Sequence, residues 1–198
     1  MVSKSEKTKA FIIETVAPIF NKNGYSAMSL SKITQATGLT KGAIYGHFEN
    51  KEELAIEAFR FSVRNVLKDL NAHINKDASP IEKLYNIASF YENYYNYSKQ
   101  FGGCPILNIG VDSNNQNTAI SNLVRSYNTR ILEQFSLLIE AGKQANEIKP
   151  TIDNATYAKR FFYMIEGAVY MSYIMKDPSF LTDLSLTMKQ IIQQDLQL

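Results

Sequence analysis

The chain has 198 residues, of which 45% are hydrophobic and 20% charged, and a formal net charge of +2. That is an ordinary globular composition, long enough for one or two packed domains. Its only cysteine, Cys104, excludes an internal disulfide and leaves no cysteine-based metal site, which suits a reducing cytosol. No apolar run reaches the roughly 18 residues of a membrane span, and the N-terminus has no signal-peptide profile. The charge is unevenly spread: residues 1–48 hold six lysines against two acids, +4, leaving −2 for the remainder. A basic N-terminal third is the electrostatic footprint of nucleic-acid binding.

Helical periodicity runs through the chain. Ile12, Ile13, Val16, Ala17, Ile19 and Phe20 predict a helix over 5–22, stopped at Asn23-Gly24. Ser29 caps a short helix to Thr37 with Leu30, Ile33 and Ala36 inward, and Gly38 supplies the turn. Thr40 caps a second short helix, Lys41 to His47; its Ile44, and Phe48 just after it, share a buried face with Leu30, Ile33 and Leu54. Asn50, with Glu52 and Glu53 behind it, starts a long helix over 51–74. Ser79-Pro80 and Glu82 make a capping-box start for a helix to Ser98. Residues 99–105 read as a loop and 106–112 as a short helix; 118–146, 152–176 and 178–194 complete an all-helical chain.

The segment at 29–54, SLSKITQATGLTKGAIYGHFENKEEL, is a helix, a glycine turn, a second helix and a capped third helix. That order is a helix-turn-helix, which sets its second helix into the DNA major groove. The string GLTKGAIYGHFENKEEL resembles the signature of TetR-type transcriptional regulators, and the match runs through residues 8–56. The resemblance implies an all-α protein, with a three-helix DNA-binding head at 1–51 joined to a helical ligand-binding and dimerisation domain at 52–198.

It also implies DNA-facing positions at Ser29, Ser31 and Lys32, at Thr40, Lys41, Gly42, Tyr45 and His47, and at Lys51. Lys41 can reach a base edge or a phosphate, and Gly42 lets backbone come close to the duplex. Tyr45 and His47 suit phosphate clamping, and Lys32 and Lys51 are point charges. Taken singly, Lys51 reads equally as a solvated helix-start lysine, and His47 and Tyr45 as packing residues. Ser31 departs from the basic or threonine-like residue more usual in the family.

The last two helices carry more apolar surface than one shell of neighbours covers, including Phe161, Phe162, Ile165, Val169, Ile174, Leu181, Leu186 and Ile191. By resemblance this is a homodimer interface through 152–194. Tyrosines crowd the middle of the chain, and a pocket for a neutral or apolar effector is expected among Tyr94, Phe101, Cys104, Tyr127, Phe162 and Tyr170. The string GGCPILNIGVD resembles a Gly-Cys element of one family subgroup, where the cysteine senses electrophiles or oxidants; the alternative for Cys104 is plain packing.

The expected function is a cytoplasmic, homodimeric repressor of a palindromic operator, released by a small molecule. An activator of the same family, or an all-helical carrier with little DNA binding, are the alternatives. An enzyme is not expected: the two histidines, His47 and His73, lie on separate elements, and no phosphate loop or metal spacing occurs. No cofactor or metal is expected.

Overall fold

A computed structural model describes residues 3–114 and 116–198. Among the described residues ten helices follow in order: α1 Lys4–Ala27, α2 Leu30–Thr37, α3 Lys41–Tyr45, α4 Lys51–His73, α5 Pro80–Glu92, α6 Tyr94–Lys99, α7 Pro105–Ser113, α8 Thr118–Gln144, α9 Asn154–Met175 and α10 Ser179–Ile191. A π-turn at Ile192–Leu196 ends the last helix. Among the described residues the extended pairing is one isolated antiparallel bridge, Ile148 to Gln197. The all-α expectation holds.

Most helix starts are written in the sequence as caps. The Ser79 hydroxyl accepts from the Glu82 amide while Glu82 accepts from the Ser79 amide at 2.8 Å, with Pro80 at the first helical position. Asn50 accepts from the Glu53 amide at 2.9 Å, and Thr40 from Ala43 at 3.2 Å. Such caps satisfy amides that have no partner within their own helix. Three expectations shift. The helix begun at Ser79 breaks at Asn93 (φ −104°, ψ 6°) into α5 and α6. The second short helix ends at Tyr45, before His47. In α2, Ala36 is exposed and Thr37 is buried instead, its hydroxyl bonded to the Ile33 carbonyl at 2.8 Å.

The chain forms two compact units, Met1–Val66 with Ser98–Arg125, and Leu67–Tyr97 with Ser126–Leu198. In the first, α1 buries Ile12, Val16 and Phe20 along one face, and α7 packs on α1. Ile33, Ile44, Phe48 and Leu54 join that core from α2 to α4, each 2% exposed or less. Each such side chain contributes roughly 1.5–3 kcal/mol of burial. In the second, α10 packs on α5 and α9. Its core stripe is Phe161, Ile165 and Val169 of α9 with Leu181, Leu184 and Met188 of α10.

Helix α1 is not continuous. Gly24 has φ 79° and ψ 170°, so the regular helix stops where Asn23-Gly24 predicts, and 25–27 resume beyond a kink. The Tyr25 amide donates to the Asp112 carboxylate at 2.7 Å, and a Cβ on Gly24 would lie 2.6 Å from the Asp112 Cγ. Gly38 also has positive φ, 68°, but a Cβ there meets nothing within 4 Å. The two glycines therefore differ in cost. Gly38→Ala is expected to lose about 1 kcal/mol of stability, from backbone strain alone, and Gly24→Ala about 2–3 kcal/mol, because it also displaces a hydrogen-bonded carboxylate. Urea unfolding of both variants checks the order.

Candidate nucleic-acid interface and helical body

Ser29, Ser31, Lys32, Thr40, Lys41 and Gly42 are exposed, and Tyr45, His47 and Lys51 are half-buried. All nine lie in the first unit, on α2, α3, the turn after α3 and the start of α4. Ser29 caps α2 by accepting from the Lys32 amide at 3.3 Å, and its hydroxyl lies 2.8 Å from that of Ser31. Lys32 donates its ammonium to the Ala27 carbonyl at 2.9 Å, which holds the charge beside the end of α1. Lys41 lies 6.0 Å from the Tyr45 ring centre. Ile44, buried beneath, fixes α3 on the core, so Lys41, Gly42 and Tyr45 are carried on a seated helix.

Gly42 is not demanded by the protein's own packing. It has no positive φ, and a Cβ would meet nothing within 4 Å. Lys51 rests 4.2 Å above the Tyr25 ring. Partial burial lowers its pKa, and the Asp112 carboxylate pulls the other way. Partial burial pushes the Tyr25 hydroxyl up, aided by the Glu52 charge. Sequence reasoning did not find Lys9, which sits 3.8 Å from Glu53 and over the Phe48 ring. Nor did it find Tyr25 and Asp112. Gly24 was the available sign that something presses on that backbone.

The residues expected around an effector divide between the units: Phe101 and Cys104 belong to the first, Tyr94, Tyr127, Phe162 and Tyr170 to the second. Tyr94 is 1% exposed, in an aromatic cluster with Tyr91 at 5.2 Å, Tyr97 at 5.7 Å and Phe90 at 5.8 Å between ring centres. Tyr97 donates to Asp69 at 2.6 Å; burial first, then that bond, pushes its hydroxyl pKa well above the ordinary value. Tyr127 is half-buried beneath the Arg130 guanidinium, 5.9 Å from the ring centre, and Phe162 is half-buried. Tyr170 is 48% exposed, on the same α9 face as Tyr163, Gly167 and Ile174. Cys104 is buried and opens α7 without a side-chain cap.

Within the first unit, Asn21 lines two clefts, one shared with Phe61, Ser98 and Phe101 and the other with Phe20, Tyr25 and Phe59. Their inner space is of the order of a single water molecule, too little for a drug-sized effector. Asn21 is 2% exposed, and its Oδ1 has no hydrogen-bond partner among the described residues. Among the described residues, no group of three or more His, Cys, Asp or Glu could hold a metal ion. No helix among them is long and apolar enough to cross a membrane.

On α9, burial pushes the Glu166 carboxyl up to about 7. The folded chain thus binds a proton that the unfolded chain releases near 4.5, the group's ordinary value. Stability from this group is complete below that value and is lost as pH rises towards 7. Glu166→Gln is expected to flatten that fall, which urea unfolding at about pH 5 and about pH 8 would register.

Two family profiles match the chain. "Bacterial regulatory proteins, tetR family" covers residues 12–58, and "Tetracyclin repressor-like, C-terminal domain" covers residues 80–187. Among curated relatives, the HTH-type transcriptional regulator YxaF of Bacillus subtilis is 25% identical over 189 residues, 91% of each chain. A TetR-family regulator from Cytophaga hutchinsonii superposes with a TM-score of 0.91 at 31% identity, over 100% of this chain and 98% of that one. A TetR regulator from Chloroflexus aurantiacus gives 0.93 at 29% identity, over 98% of each.

Proposed function

Since the chain belongs to the TetR family and is a transcriptional regulator with a helix-turn-helix DNA-binding domain, we propose that it is a cytoplasmic homodimeric repressor that leaves a palindromic operator when an effector binds. The observation that carries this reading is the α3 surface. Lys41, Gly42 and Tyr45 ride on a helix anchored by Ile44, and the glycine has no reason inside the protein. A side chain missing where no neighbour forbids one fits a close approach from outside, and a DNA backbone or base edge is that neighbour. Lys41 reaches a base edge in the groove. Ser29, Ser31, Lys32, Thr40, Tyr45, His47 and Lys51 set the register through phosphates. The division at residue 51 into head and body belongs to the same reading.

Dimerisation through 152–194 is supported by an uncovered apolar stripe. Tyr163, Ile174 and Met175 on α9 and Leu186 on α10 are 55–62% exposed, with Gly167 between them permitting close approach. A two-fold pair gives two recognition helices for two half-sites roughly 34–36 Å apart. The effector is small and neutral or apolar, in keeping with the tyrosine-rich second unit. It acts by favouring a state in which the heads no longer match the half-sites, and α4, which supplies residues to both units, transmits the shift.

A footprint of the purified protein on the DNA flanking its own gene, at two salt concentrations, tests the reading. A near-palindromic protected site is expected, with binding that weakens steeply with salt. Lys41→Ala and Tyr45→Phe should each lower affinity about tenfold with unchanged melting. A salt-labile coating with no protected site would favour the carrier alternative instead.

A further inference from the structure

Residues of α7 and of the turn after it touch the helix-turn-helix from outside its sequence. Asp112 accepts the Tyr25 amide at 2.7 Å, in the space that a Gly24 side chain would occupy. The Gln116 side chain pairs with the Ser26 hydroxyl, and the Asn117 amide donates to the Glu52 carboxylate. Asn117 also accepts the Ile120 amide at 2.8 Å, so it is fixed to the start of α8. The contacts fall at both ends of that region: Tyr25 follows the kink of α1, and Glu52 adjoins Lys51 at the start of α4.

Between those contacts lies the Tyr25 ring, with the Lys51 ammonium 4.2 Å from its centre. A lysine has a long flexible stem and loses rotamer freedom when it engages a phosphate. A ring beneath the ammonium removes part of that freedom beforehand and so lowers the cost on binding. The ring can do so only if its own backbone is fixed. It follows Gly24 at φ 79°, where the regular helix is interrupted. Its amide is held by Asp112, 87 residues further along the chain, and its hydroxyl is hydrogen-bonded to the Asn117 side chain.

We propose that Asp112, outside the helix-turn-helix, is a positioning residue for DNA binding: by holding the Tyr25 amide it fixes the ring on which Lys51 lies, and so aims the Lys51 ammonium at a DNA phosphate. The proposal rests on the reading of Lys51 as a phosphate contact. Asp112 itself touches no DNA. Its effect is confined to what Lys51 contributes.

The test is fluorescence anisotropy of the full chain with a labelled random-sequence duplex of roughly 30 base pairs at several salt concentrations, since phosphate contacts do not depend on sequence. Lys51→Ala should weaken binding about fivefold and flatten the salt dependence by about one unit. Asp112→Ala and Tyr25→Leu should do the same, and Asp112→Asn, which keeps an acceptor oxygen, should restore most of the loss. Adding Asp112→Ala to Lys51→Ala should cost less than about twofold more. Helix content and melting temperature are recorded for each variant; if Asp112→Ala does not fold, Tyr25→Leu, which keeps the amide, decides. If Lys51→Ala binds as the parent does, the phosphate reading fails and the proposal with it. If Lys51→Ala is weak but Tyr25→Leu keeps the parent's affinity and salt slope, the positioning role alone is overturned. Additive losses, or no rescue by Asp112→Asn, overturn it as well.

Discussion

The first unit closes around one buried amide. Asn21 donates its two side-chain protons to the Phe101 carbonyl at 2.8 Å and the Gly103 carbonyl at 2.7 Å. Asn108 answers from α7, donating to the Asn21 carbonyl at 3.0 Å and the Gly102 carbonyl at 2.9 Å. Leaving any one of these groups unpaired in the interior would cost about 1–3 kcal/mol, so the loop before α7 has one good place to lie. With the loop set, Ile106 and Ile109 of α7 are buried, and Asp112 arrives one turn later at the kink of α1. The cost is a loop closure over some 80 residues, which must be met before any of these contacts forms.

Much of the fold was legible because it is written locally. A cap, a glycine stop and a 3.6-residue apolar stripe each act within a turn or two of where they stand. Ser79-Pro80-Glu82, Asn50 and Thr40 did what their types predict. The break at Asn93 was not legible, because Tyr91, Tyr94 and Tyr97 read as one helical stripe on either side of it. Their rings cluster across the break, so the periodic signal survives a backbone interruption. Ala36 misled for a similar reason: an alanine fits either face of a helix, whereas the Thr37 hydroxyl can be buried by bonding back to its own turn.

At the proposed DNA-facing surface the residues themselves stand in one local string, and their supports do not. Lys41, Gly42 and Tyr45 stand in one local string, and a string can be compared with others. Lys51 lies over a ring from α1 whose amide is held by a carboxylate from α7, and neither is near it in sequence. The tyrosine-rich middle showed the opposite weakness. Composition located an aromatic region, but it could not separate Tyr94, sealed in a cluster, from Tyr170, open to solvent on α9. Burial of a tyrosine depends on which helix lies opposite, and that is set by long-range packing rather than by spacing along one helix.

The first unit is made of two separate stretches of chain, and this bears on how such proteins can be recombined. Its sequence signature ends near the start of α4, but its packing includes Ser98–Arg125 as well. A gene fusion that exchanged only residues 1–51 would carry Asn21 away from the carbonyls that take its protons, and Gly24 away from the carboxylate that fills its side-chain space. The foreign loop would meet an α1 surface shaped for another partner. On the proposed reading of α3, DNA specificity in a chain built this way is changed most safely by point substitutions on that helix, while transplanting a whole head means carrying a second, distant segment along with it.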